Sequence, residues 1–207
     1  LFRTDRGLRF VDRPGGNPNV STRVVGESRR PRLTFSPGRV EPTLSAFVSS
    51  RKPLAAEFTF RGQRLFVIAN HFGSKGGDQP LYGRFQPPKL VTEAKRAEQA
   101  RVVAGFVREI FAKDQAAKVV VLGDLNDFEF SAPVRVLKDA GLVALIERLP
   151  TPERYTYVFD GNSQSLDHIL VSRSLASALA SYDIVHINSE FADAASDHDP
   201  TVAVFRL

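Results

Sequence analysis

Cysteine is absent from the 207 residues, which excludes disulfides and thiolate metal sites and leaves the redox compartment open. No apolar run approaches the roughly 20 residues needed to cross a bilayer. The first residues carry no charged-then-apolar targeting pattern, so any targeting segment is expected upstream of Leu1. Two families of catalytic spacing are also missing. Neither HxH nor HExxH occurs, which argues against a His-only zinc centre. No G-x-S-x-G occurs, which argues against a Ser/His/Asp hydrolase. There is no internal repeat and no low-complexity tract.

What is present is ordinary for a globular chain, with 43% hydrophobic and 25% charged residues. The length fits one domain, residues 1–207, with enough chain to bury a core. The net charge of +5 is unevenly placed. Arg3, Arg6, Arg9, Arg13, Arg23, Arg29, Arg30, Arg32 and Arg39 face only Asp5, Asp12 and Glu27 in the same stretch. A basic surface attracts polyanions such as nucleic acid or acidic membrane, although arginine that merely solvates a loop reads the same way.

Residues 12–42 are rich in Pro, Gly, Arg and Ser without periodicity, which predicts a long basic irregular loop with one short strand at 32–35. Residues 1–11, 44–49 and 53–60 read as strands, the last turning through Arg61-Gly62-Gln63 into a strand at 64–70. Thr92 is placed to cap a helix in which Ala97, Ala100, Val103, Phe106, Val107, Ile110 and Phe111 form one apolar stripe. Arg96 and Arg101 flank that stripe and read as surface charges. The helix leads into residues 119–128, VVVLGDLNDF, a short apolar strand that ends in Asp124, Asn126 and Asp127. Further helices are predicted at 133–140, stopped by Gly141, and at 174–180, with strands at 155–159, 166–171, 184–187 and 201–206. Mixed strands with two or three helices imply an α/β layered sandwich.

Polar residues gather where four of these strands end: Asn70-His71, Asp124-Leu125-Asn126, Asp167-His168 and Asp197-His198. Strands sharing a two-sheet core would bring these ends to one rim. Three of the four histidines fall in these clusters; His186 sits inside an apolar strand and reads as structural. GDLND alone is equally an Asp/Asn turn. The residue types together suit phosphoester hydrolysis. A His held by a carboxylate orients or activates water, a second His donates to a phosphate oxygen, and Asn and Asp position the nucleophile. Surroundings rich in Asp and Asn favour a hard cation such as Mg2+ over Zn2+. Lys75, Tyr82 and Arg84, in the loop after His71, are suited to grip phosphates and stack on a base, with ordinary loop solubility as the alternative.

ANHFGSKGG at 69–77, VVLGDLNDF at 120–128, SLDHILVS at 165–172 and SDHDP at 196–200, in this order, resemble the endonuclease/exonuclease/phosphatase superfamily of DNase I-like enzymes. GDQPLYGRFQPP at 77–88, RYTYVFDGNSQSLDH at 154–168 and VHINSEFAD at 185–193 are similar to its branch of bacterial secreted nucleases. The resemblance covers essentially the whole chain. It implies a two-layer β-sandwich flanked by helices, the four-layer α/β/β/α arrangement, and a metal-dependent phosphodiesterase that hydrolyses nucleic acid. On this pattern Asp167 orients His198, and the pair, with Asp124, activates or positions the attacking water. Asn126 and His71 hold the scissile phosphate, His71 also being a candidate proton donor; which His is acid and which is base stays open. Asp197 belongs to the metal site, Asp127 and His168 support their neighbours, and the implied cofactor is Mg2+, with Mn2+ or Ca2+ as alternatives. The implied partner is DNA and the implied setting a monomer outside the cell or at its surface.

The chain departs from the pattern in one respect. Family members begin with a strand bearing an Asn and a second ending in the Glu that is the principal metal ligand, and neither is present. The first quarter to third of the family domain is therefore expected upstream of Leu1. A phosphomonoesterase or sphingomyelinase-like phosphodiesterase of the same fold, and a catalytically dead polyanion-binding remnant, are the alternative functions.

Overall fold

The structure is a computed structural model that describes residues 2–207. Its strands are β1 (Leu8–Phe10), β2 (Val24–Val25), β3 (Arg32–Leu33), β4 (Gly38–Arg39), β5 (Leu54–Phe60) and β6 (Gln63–His71), followed by helix α1 (Glu93–Lys113). Then come β7 (Lys118–Asp124), α2 (Ala132–Asp139), β8 (Leu142–Ala144), β9 (Tyr157–Phe159), β10 (Asn162–Gln164), β11 (Asp167–Ser172), α3 (Arg173–Ala176), β12 (Leu179–Ile184) and β13 (Thr201–Phe205). The result is a mixed α/β fold with a large sheet in the order β1-β5-β6-β7-β11-β8, in which β4 also pairs with β5. A smaller β12–β13 sheet and a β9–β10 hairpin stand apart from it.

The β5–β6 hairpin turns where Arg61 (φ 47°) and Gly62 (φ 77°) both adopt left-handed backbone, the geometry of a two-residue turn matched to strand twist. β6 and β7 are parallel, so α1 must cross over between them. All seven residues of the predicted stripe of α1 are buried, and six of them, all but Ala97, join Phe66, Ile68, Val119 and Val121 in one continuous core. Each such aliphatic side chain, fully buried, contributes about 1.5–3 kcal/mol. Among the described residues no helix is long and apolar enough to cross a membrane.

Several expectations change. Residues 44–49 hold a 3-10 turn at Ser45–Phe47, because only Ala46 and Phe47 are buried and they point into the core consecutively. The strand expected at 184–187 lies earlier, at Leu179–Ile184, paired with β13. Residues 185–189 instead wrap a buried carboxylate described below. The helix expected at 174–180 closes after Ala176, and that at 133–140 is Ala132–Asp139, followed by Gly141 at φ 98°. Residues 12–42 hold three two-residue strands, β2, β3 and β4, rather than the one expected at 32–35, and the irregular backbone between them is not free. Arg13 reaches the fully buried Glu57 with both guanidinium nitrogens (2.5 and 3.2 Å), Arg64 joins from 3.3 Å, and the Thr22 hydroxyl donates to the Phe35 carbonyl (2.9 Å) and accepts from the Phe35 N–H (3.1 Å). A carboxylate with no exposure needs such partners, so Glu57 fastens the basic loop to the sheet.

Candidate active site

Strand register builds the site. In the parallel β6–β7 pair His71 lies opposite Asp124, and in the antiparallel β7–β11 pair Asp124 lies opposite Asp167. Directly opposite residues share a face, so His71, Asp124 and Asp167 form a row across three adjacent strands. The row marks the C-terminal ends of β6 and β7 and the first residue of β11, which reach one rim because β11 runs the other way. His198 precedes β13 and is bridged through its backbone to Tyr157, the first residue of β9.

The two rim histidines, His71 and His198, each take one carboxylate. His198 Nδ1 and Asp167 Oδ2 are 2.5 Å apart, and Asp167 also accepts from the buried Thr156 hydroxyl at 2.8 Å. Thr156 Oγ1 in turn accepts the N–H groups of Leu166 and Asp167, both at 3.1 Å, which fixes the carboxylate before the imidazole arrives. The hydrogen bond to Asp167 raises the His198 pKa above its ordinary value; partial burial opposes this, and the carboxylates of Asp167, Asp124 and Asp197 add to it. His71 Nε2 lies 3.3 Å from Asp124 Oδ2. Burial pushes the Asp124 pKa up; the Asn126 N–H on Oδ1 (2.8 Å) pulls it down, and the neighbouring Asp167 charge pushes it up again.

The loop after β7 folds back sharply. Gly123 has φ 124°, and a Cβ there would stand 2.0 Å from the Asn70 carbonyl oxygen, so no other residue fits. Asn126 also adopts left-handed backbone (φ 52°), a conformation Asn tolerates better than most. Its amide nitrogen donates to Asp124 Oδ2 (3.1 Å) and the Phe72 carbonyl (3.2 Å), which tethers the His71 loop to the GDLND loop.

Beneath the row, on the helix side of the sheet, His168 is buried and donates Nε2–H to the Asp127 carbonyl at 2.8 Å. Burial lowers its pKa and keeps it neutral, which fits the supporting role expected of it. Arg96 corrects the sequence reading. It is not a surface charge but is buried, with Nε on Asp127 (2.8 Å), Nη1 on the Ser74 carbonyl (3.2 Å) and the Thr92 hydroxyl (2.6 Å), and Nη2 on Asp78 (3.3 Å). The Thr92 side chain serves this network and Asp78 rather than capping α1. Arg101 is exposed, as expected, and pairs with Glu98 (2.7 Å).

Of the residues expected to bind substrate, Lys75 reaches the rim. Its Nζ donates to Gln164 Oε1 (3.1 Å) and lies 3.9 Å from the centre of the Phe128 ring. Desolvation lowers its pKa to about 8, against the pull of Asp127, Asp78 and Asp124. Tyr82 is 82% exposed, and Arg84 covers the Phe85 ring at 4.7 Å; among the described residues neither hydrogen-bonds to the row.

Sequence reasoning passed over Thr156 and Asp199. Asp199 is buried, its Oδ1 accepting the N–H groups of Ile187 (3.1 Å), Asn188 (2.9 Å) and Ser189 (3.0 Å) and its Oδ2 engaging Ser189 Oγ (2.5 Å) and His186 Nδ1 (3.0 Å). Burial pushes its pKa up, but these donors prevail and leave it at about 2. Asn188 then holds the His198 carbonyl (2.7 Å), and His186 stacks on Tyr155 at 4.2 Å, a structural place as expected. The signal was present, since SDHDP carries a second Asp immediately after the histidine.

Among the described residues no three His, Asp or Glu side chains come together as a metal site. Asp197 is exposed without an ion-pair partner, and Asp124 and Asp167 are committed to histidines. Two buried atoms lacking partners, Asn70 Oδ1 and His168 Nδ1, flank Gly123 on the opposite face of the sheet from the row. The donors present therefore do not compose a cation site.

A search of curated proteins gives no match. Among solved structures, a 3'-5' exonuclease from Neisseria meningitidis matches at 24% identity over 77% of this chain and 67% of that chain, with TM-score 0.55. Zebrafish (D. rerio) TDP2 complexed with a single-strand DNA product matches at 19% identity over 98% of this chain and 70% of that chain, with TM-score 0.58. A mannosyl-6-phosphatase from Bacteroides thetaiotaomicron matches at 20% identity over 99% and 69%, with TM-score 0.54. The chain thus spans about two thirds of the length of these structures, and at such identities they attest the DNase I-like fold alone. The model of the endonuclease/exonuclease/phosphatase family matches residues 11–198, nearly the whole chain, and the protein belongs to that family.

Proposed function

We propose that this chain carries the catalytic residues of a secreted, divalent-cation-dependent nuclease that hydrolyses phosphodiesters of DNA by in-line attack of water. The observation that carries the reading is the row His71–Asp124–Asp167 with His198 bonded to its end. Asp167 accepts from His198 Nδ1 and directs Nε2 outward, where it takes a proton from water as the new O–P bond forms. His71 binds a non-bridging oxygen, and Asn126 binds a second by releasing one of its two amide contacts, to Asp124 or to the Phe72 carbonyl; as the bond to the leaving oxygen breaks, that oxygen takes up a proton from His71 or from water. The hydrogen bond to Asp167 and the neighbouring carboxylates raise the His198 pKa above its ordinary value, which makes the ring a stronger proton acceptor. In this reading Asp197 would contribute to holding a cation, Mg2+ with Mn2+ or Ca2+ as alternatives, which would supply a counter-charge to the phosphate; the residues described here do not hold it by themselves. The enzyme acts as a monomer outside the cell, a placement that rests on the resemblance to secreted nucleases.

The test is cleavage of plasmid DNA by the whole protein with Mg2+. Chelator-sensitive cleavage that disappears in His198→Ala supports the proposal. No such cleavage, or full cleavage by the variant, overturns it.

A further inference from the structure

Two pairs of aromatic rings stand at the rim, and neither is used by the chemistry above. Phe128 and Phe130 lie parallel, with centroids 5.1 Å apart and an interplanar angle of 6°. Tyr157 and Phe159 lie parallel at 6.3 Å and 8°. Each pair has an inner ring that touches the site and an outer ring left in solvent. Phe128 lies under the Lys75 ammonium at 3.9 Å, and Tyr157 lies 4.9 Å from the His198 ring. The outer rings, Phe130 and Phe159, are 67% and 54% exposed. The two pairs are joined across the rim. Tyr157 is directly opposite Gln164 in the β9–β10 hairpin, so their side chains share a face, and Gln164 holds Lys75.

The sequence of contacts therefore runs Phe130, Phe128, Lys75, Gln164, Tyr157, Phe159, with His198 beside Tyr157. A cation that would bind phosphate stands between two flat apolar surfaces. Rings that served only to pack their own loops would turn both members of each pair inward. Here one member of each pair remains in water, and the inner ring of one pair, Phe128, lies beside the Lys75 charge on a chain of net charge +5.

We propose that Phe128–Phe130 and Tyr157–Phe159 are stacking platforms for unpaired bases on either side of the scissile phosphate, so that the substrate is single-stranded nucleic acid. This rests on the nuclease reading of the site and adds to it the form of the polymer. Every base offers a flat π-face to an aromatic ring once it is unstacked from its neighbours. Inside a duplex those faces are covered by adjacent base pairs, and exposed phenylalanines have nothing to stack on. A sugar phosphate has no such face at all.

The measurement is fluorescence anisotropy with a labelled oligothymidylate, an abasic oligonucleotide of equal length and a blunt DNA hairpin, in chelator so that nothing is cleaved. The wild-type protein is expected to bind oligothymidylate more tightly than either of the others. Phe130→Ala and Phe159→Ala are each expected to weaken oligothymidylate binding roughly 5- to 140-fold, the range for loss of one stacked base, and to leave the abasic affinity unchanged. Phe130→Leu and Phe159→Leu, which keep apolar bulk without a ring, should behave like the alanine variants. Equal binding of the three probes, tighter binding of the hairpin, or a parallel loss on the abasic strand overturns the proposal. Turnover of bis(p-nitrophenyl) phosphate, which has no base, tests the chemistry separately. Turnover without base discrimination sinks the platforms alone, and base discrimination without turnover sinks the catalytic reading alone.

Discussion

Replacing Asp167 by Asn removes a charge and leaves the shape nearly intact, which isolates the coupling between this carboxylate and His198. The pair is 2.5 Å apart, both side chains are mostly buried, and Asp167 is held independently by Thr156. A hydrogen bond between charged partners contributes about 1.5–3 kcal/mol, and one between neutral partners about 0.5–1.5 kcal/mol. The folded protein binds the His198 proton more tightly than the unfolded chain. This contribution is therefore fully present below the ordinary His pKa of 6.5 and is lost as the pH rises through the raised folded value. Asp167→Asn should accordingly cost about 1–1.5 kcal/mol near pH 5.5 and less near pH 9. For a chain of this length the low-pH loss corresponds to a Tm lower by roughly 2–6 °C. In the same variant the His198 pKa should fall. Because the chain has only four histidines, NMR titration of the imidazoles resolves this one directly. A stability gap that widens with pH, or an unchanged His198 titration, refutes the account of the dyad, whatever the protein's activity.

Asp199→Ala leaves the part-buried N–H groups of Ile187, Asn188 and Ser189 without their acceptor, and at about 0.5–1.5 kcal/mol for each net hydrogen bond lost the destabilisation should be about 1.5–4 kcal/mol in urea unfolding. The wild-type carboxylate contributes stability above its ordinary pKa of 3.8, lost as the pH falls towards about 2, so the gap between the two proteins should narrow in strong acid. Arg96→Met strands Asp127 and Asp78 in the interior and should cost about 3–5 kcal/mol; a loss under about 1 kcal/mol would show that the network is dispensable. Lys75 loses its charge as the pH rises through about 8, so the affinity for pyrophosphate measured by calorimetry should fall between pH 7 and pH 9. In Lys75→Arg, whose guanidinium keeps its charge, that fall should vanish.

The parts of the fold legible in the sequence were those governed by local pattern. The stripe of α1, the β5–β6 hairpin at Arg61-Gly62 and the apolar strand before GDLND follow from periodicity and turn chemistry alone. The misjudged parts were set by distant partners. Arg96 reads as a solvated helix residue because nothing near it in sequence announces that Asp78 and Asp127 will enclose it. Residues 184–187 look like a strand because they are apolar, yet Asp199 claims the backbone donors of 187–189, while β12 forms upstream against β13.

The candidate site divides in the same way. The sequence by itself determined which residue types were available, His71, Asp124, Asn126, Asp167 and His198, and that each stands where a strand meets a loop. It also determined that Gly123 and Asn126 stand where the chain must turn back. Only the tertiary structure decided that three of these residues form a row, because β-register couples positions 53 and 43 residues apart along the chain, and no local preference records that coupling. It alone decided which carboxylate serves which histidine, that Thr156 and Asp199 brace the histidine loop from beneath, and that one ring of each aromatic pair remains in solvent. The physical reason is that a side chain's chemistry is local, whereas its partners, burial and pKa are set by whatever packing brings against it.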